Sequence, residues 1–147
     1  MSDAKMIMDM IKEKEIQFVD LRFTDPRGKM QHVSQHVSTI DEKSLAEGFM
    51  FDGSSIAGWK AINESDMKLM PDCSRGIVDP FFSQPTLSIF CDVLEPLSGQ
   101  PYERDPRSTA KQALSYMSSL GIGDTAYFGP EPEFFVFDDV QFQDEMN

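Results

Sequence analysis

Residues 16–37 place the tightest constraint on the fold. In residues 16–24 (IQFVDLRFT), Val19, Leu21 and Phe23 alternate with Asp20 and Arg22. Period-two alternation is the pattern of a half-buried strand. Asp25-Pro26-Arg27-Gly28 follows, with proline and glycine placed for a tight turn. Residues 29–37 resume an extended pattern, so the segment is expected to form a β-hairpin. A hairpin alone is marginal in water and needs further strands or a helix against its apolar face.

The chain offers both. Residues 3–14 carry Met6, Ile7, Met10 and Ile11 on one side of a short amphipathic helix, with Ser2 or Asp3 as its cap. Thr39-Ile40-Asp41-Glu42 fits a capping box with Thr39 as cap and Glu42 at the third position. That helix runs to about Glu47 and stops at Gly48. Residues 68–71 look extended. In residues 86–93, Leu87, Ile89, Cys91 and Val93 alternate with Ser88 and Asp92, a second half-buried strand. The expected fold class is α+β: a small mixed sheet with helix cover in residues 1–100.

From Glu95 onward, Pro96, Gly99, Pro101 and Pro106 mark a boundary, so residues 101–147 are expected to open a second unit. Asp105 caps a helix with Pro106 at its first position, Ala110, Ala113, Leu114, Met117 and Leu120 give it an apolar stripe, and Gly121 ends it. Residues 127–137 are extended and apolar on both faces, the pattern of a buried strand.

Charge narrows the function. The chain has 147 residues and a net charge of −12, from 13 basic and 25 acidic residues. Nothing in it offers a footprint for nucleic acid or an anionic membrane. No apolar run approaches the roughly 18 residues of a membrane span, and the first residues hold no signal-peptide core, so a cytoplasmic location is expected. Cys73 and Cys91 make neither a disulfide framework nor a zinc spacing. His32 and His36 on one strand stand about 13 Å apart, too far to share an ion, and are expected to face solvent.

Two stretches carry candidate chemistry. Residues 50–72 (MFDGSSIAGWKAINESDMKLMPD) read as neither helix nor strand. A loop of about 17 residues from Asp52 to Lys68 is unusual in a compact domain unless it has a function. Asp52 and Ser55 are equipped to bind a small cation or take up a proton. The same stretch also suits a plain turn in which Asp52 and Ser54 cap backbone groups. Trp59 suits a core or an interface. The second stretch is residues 129–137 (GPEPEFFVF). On an extended chain Glu131 and Glu133 share a face about 6 to 7 Å apart. Hard cations such as Mg²⁺ or Mn²⁺ suit such carboxylates, one ion for each. The alternative is that both acids sit in water at a strand end.

FDGSSIAGWKAINESDMKLMPD and GPEPEFF resemble the two N-terminal signatures of bacterial type I glutamine synthetase, and VDLRFTDPRGK and RDPRSTA are similar to further text of that family. The resemblance runs from near the start to about Asp139. It implies a β-grasp domain to about residue 100, then the first helix and strand of a larger α+β catalytic domain. It implies ligation of ammonium to glutamate with ATP, through γ-glutamyl phosphate, in a dodecamer of two stacked six-membered rings. It implies that Asp52 binds ammonium and takes its proton, that Ser55 lines that pocket, and that Trp59 and Asp66 lie at the seam between subunits. Glu133 would ligate the metal on the glutamate side and Glu131 the metal near the ATP phosphates. Family members are much longer, and two carboxylates do not complete a shell of about six ligands. The 147-residue polypeptide alone is therefore expected to be inactive. A stand-alone β-grasp binding module without catalysis is the competing expectation.

Overall fold

A computed structural model describes residues 3–60 and 65–144. Its elements in chain order are α1 (Asp3–Glu13), β1 (Phe18–Thr24), β2 (Met30–His36), α2 (Glu42–Glu47), β3 (Phe49–Asp52), β4 (Asp66–Pro71), β5 (Ile77–Val78), β6 (Thr86–Leu94) and α3 (Pro106–Ser119). The strands form one sheet in the order β2-β1-β6-β4-β3, with β5 pairing the first half of β6. β1 and β6 run parallel and the other pairs antiparallel, so the sheet is mixed as expected.

The hairpin forms where the alternation puts it. Asp25, itself buried, accepts from the backbone N–H groups of Arg27 and Lys29 at 2.9 Å each and from Gln31 Nε2 at 2.9 Å. One carboxylate thereby satisfies the turn's inward-facing donors. Val19, Leu21 and Phe23 of β1 meet Leu87, Ile89, Cys91 and Val93 of β6 and Met67 and Leu69 of β4 in one core. Helix α1 covers it with Ile7 and Ile11, one turn apart; Met6 turns outward. The expected Ser2 cap lies outside the described residues.

Three local expectations are corrected. The cap of α2 is Asp41, not Thr39: Ser44 N–H donates to Asp41 Oδ1 at 2.6 Å and Asp41 N–H donates to Ser44 Oγ at 2.9 Å. Thr39 instead sits in a short 3₁₀ turn, Val37–Thr39. The two capping signatures overlap by two residues, and with Asp41 as the cap Ile40 is buried in the core. Residues 50–72 are not loop throughout: β4 takes in residues 68–71, read as extended, and begins two residues earlier, and β3 takes the other end. Residues 127–137 form no strand: Tyr127, Phe128, Phe134, Phe135, Val136 and Phe137 are all exposed. A strand apolar on both faces needs neighbours on both, and no described strand reaches it. The stripe on α3 is similarly uncovered at Leu114 and Leu120.

Candidate functional site

The site residues of the first signature lie on a hairpin. In the β3–β4 ladder Phe51 pairs with Met67 and Asp52 with Asp66. Met67 faces the core, so the neighbouring pair, one residue along, faces away from it: Asp52 and Asp66 are both exposed. Cross-strand partners have Cβ atoms about 4.5–5.5 Å apart, and like charges so placed repel. The ladder closes there because Gly53 N–H donates to Ser65 O at 2.7 Å. Gly53 is required at this point, since a Cβ on it would lie 2.4 Å from Met67 Cγ.

Asp52 Oδ1 accepts from Ser54 N–H at 2.8 Å and from Ser54 Oγ at 2.6 Å. The Ser54 hydroxyl, then its backbone N–H, hold the Asp52 carboxyl below the usual carboxylate range. The hydroxyls on Asp52 are those of Ser54 and, more weakly, Ser65, while Ser55 is exposed at the end of the 3₁₀ turn Gly53–Ser55. The turn-cap geometry leaves Asp52 at the surface as an ionised carboxylate.

Trp59 is packed inside its own chain at 6% exposure. Its ring lies 5.5 Å from Phe23, 6.1 Å from Phe51 and 5.3 Å from Tyr102, edge-on to the last. The residues around it are held from the 95–104 segment. Lys60 Nζ pairs with Glu95 Oε1 at 2.7 Å and lies 5.3 Å from the Tyr102 ring centre. Arg104 Nη1 donates to Gly58 O at 2.7 Å and to Trp59 O at 3.4 Å. These partners of the loop were missed in the sequence; the only signal for Arg104 was its place one residue before a helix cap.

That cap is firm. Asp105 is fully buried and accepts from Ser108 N–H, Ser108 Oγ and, across to the sheet, Val93 N–H. Arg107 then bridges Asp72 and Asp92, and Lys111 also pairs with Asp92. The first two turns of α3 are therefore riveted to β6 and to the residue that follows β4.

Glu131 and Glu133 are exposed on the unpaired segment, and neither makes a hydrogen bond or ion pair among the described residues. The rings of Phe135 and Phe137 lie 6.1 Å apart, the same-side spacing of an extended chain. Among the described residues no three His, Cys, Asp or Glu side chains gather to hold a metal ion. His32 bonds Asp20 at 2.7 Å and His36 bonds Ser38 at 2.8 Å, so the two histidines have separate partners. No described helix is long and apolar enough to cross a membrane.

Comparison with known proteins adds to this geometry. Residues 15–96 match the family model described as glutamine synthetase, beta-Grasp domain, and residues 103–147 match glutamine synthetase, catalytic domain. Glutamine synthetase of Azospirillum brasilense is 65% identical over 147 residues, covering 100% of this chain and 31% of that protein. A protein of Cupriavidus pinatubonensis named 3-hydroxylaminophenol mutase is 55% identical over 140 residues, covering 95% of this chain and 30% of its own length. A cryo-EM structure of Plasmodium falciparum glutamine synthetase superimposes with a TM-score of 0.72 at 25% identity, covering 82% of this chain and 23% of that one. The chain thus spans about a third of the length of the curated relatives it matches. With a mixed sheet under helix cover and both family models on one continuous stretch, the chain belongs to the glutamine synthetase family.

Proposed function

We propose that this chain supplies the ammonium-side wall of an enzyme that ligates ammonium to glutamate at the expense of ATP, through γ-glutamyl phosphate. The observation that carries the reading is the register pair Asp52–Asp66: two exposed carboxylates opposite each other at the mouth of one hairpin. Two carboxylates so placed bring negative charge from both strands to a small cation between or beside them. Ammonium fits that description.

The chemistry follows from the state of Asp52. With its carboxyl lowered by Ser54, the side chain is an anion at neutral pH and holds ammonium as an ion. Ammonium has no lone pair, so one proton passes to Asp52 first, the ammonia so freed bonds to the γ-carbonyl carbon, and a second proton leaves the bonded nitrogen. Phosphate leaves from that carbon as the amide forms. Ser55 lines the same turn and offers a hydroxyl to the approaching nitrogen.

Glu131 and Glu133 suit a hard divalent cation, Mg²⁺ or Mn²⁺, as exposed carboxylates with no competing partner among the described residues. Such ions supply positive charge to a phosphate under transfer. The remaining ligands of a shell of about six come from other residues of the assembled enzyme. Self-association into stacked rings, with the Asp52 loop at a subunit boundary beside Trp59 and Asp66, belongs to the same proposal, as does a location in the cytoplasm.

Asp52→Asn in the full-length protein is the direct test. Glutamine formation is expected to fall by about 10² or more, the contribution of a positioned base, with ATP and glutamate binding kept. Wild-type turnover by this variant would sink the reading. The mutase relative makes a second assay necessary: a full-length protein that rearranges 3-hydroxylaminophenol and forms no glutamine also overturns it.

A further inference from the structure

We infer that Arg104 is a positioning residue for the ammonium site, an inference that rests on the role proposed for Asp52. The hairpin that carries Asp52 is stapled at its base by Gly53 and Ser65. Beyond that staple the chain turns at Gly58, which has φ +87° and no atom within 4 Å of where a Cβ would stand. The turn is anchored on either side of Gly58 by buried Ile56 and Trp59, and the carbonyls of Gly58 and Trp59 are met from the 95–104 segment.

The 95–104 segment does this through three consecutive loop residues by three kinds of contact. Tyr102 packs edge-on to Trp59, Glu95 pairs with Lys60, and Arg104 donates to the carbonyls of Gly58 and Trp59. Of these three contacts, the one from Arg104 is to the backbone. Its side chain is 55% exposed, so it fills no core space there. Its own backbone adjoins Asp105, fully buried and bonded both to the first turn of α3 and to Val93 of β6. Arg104 thus ties the loop to the point where helix and sheet are riveted together. Asp52 itself is held by the last pair of the β3–β4 ladder, from which this loop springs, so releasing the loop from Arg104 frays that pair and lowers the competent fraction for ammonium capture.

The expected signature is a split between kinetic constants. In the assembled full-length protein, Arg104→Met should raise KM for ammonium about tenfold, the loss of one charged hydrogen bond, and leave KM for ATP and kcat at saturating ammonium within about twofold. Arg104→Lys, with a shorter reach to the same carbonyls, should fall between Arg104→Met and wild type. Asp52→Asn is measured beside them. An inactive Asp52→Asn with an unchanged ammonium KM in Arg104→Met overturns the inference and spares the role of Asp52. A fully active Asp52→Asn overturns both. Equal losses for every substrate in Arg104→Met would mark a general structural role and also overturn it. If Arg104→Met fails to assemble, Arg104→Lys decides by the same ammonium criterion.

Discussion

Asp52 and Asp66 are paired residues of one antiparallel ladder, so the β3–β4 hairpin ends on two opposed carboxylates. A sheet built for stability alone would place opposite charges or a β-branched pair there. The cost falls at the position where an ammonium ion would be bound, the usual place for a local rule to be broken.

Replacing Asp66 with Asn should separate stability from function. Removing one charge of the repelling pair should raise the thermal midpoint by about 1–3 °C, and weaken ammonium capture in the full-length protein. A lower midpoint would mean that Asp66 has a stabilising partner that the ladder geometry does not provide.

Gly48 ends α2 with φ +84°, and a Cβ there would lie 2.7 Å from the backbone oxygen of Leu69. Both the dihedral and the clash oppose any side chain. Gly48→Ala should cost about 1–3 kcal/mol in urea unfolding. Gly28, also at positive φ but with open space around it, should tolerate Ala better.

Asp20 sits at 1% exposure among Arg22, His32 and Ser34. Burial raises its carboxyl, but bonds from Arg22, Ser34 and His32 outweigh that and leave it below its ordinary value. A depressed folded-state carboxyl contributes stability above its unfolded value, near 3.9, and loses it as pH falls through the folded value. Acid unfolding should therefore steepen below about pH 4. In Asp20→Asn that acid-dependent part should shrink, and stability at pH 7 should fall by about 1–2 kcal/mol, since Arg22 keeps Asp79 at 2.8 Å. An unchanged acid profile in the variant would refute the assignment.

Amide exchange should divide the chain. β1 and β6, bonded along both edges of the core, should be the slowest to exchange, and residues 127–137 the fastest. The apolar side chains of 127–137 lie in solvent and no described strand shields their N–H groups. Stronger protection at 127–137 than in β6 would contradict this.

The sequence by itself determined the elements whose signal is local. Alternation marked β1 and β6; Asp25 to Gly28 and the extended residues after them marked the turn to β2; Asp105-Pro106 marked the start of α3; Gly48 marked the end of α2. Each depends on a few adjacent residues and on backbone preferences that travel with them. The two signature motifs were equally visible, because they are continuous text.

What the tertiary structure decided were relations between distant residues. It made Asp41 rather than Thr39 the cap, with Ile40 buried in the core. It turned the start of the 50–72 stretch into β3, began β4 at Asp66 and set Asp52 against Asp66. It brought Arg104 to Gly58, and it left residues 127–137 and the α3 stripe uncovered. Register, burial and a side chain's reach across many residues of chain arise only when separate elements compete for the same core, and no local pattern records who wins.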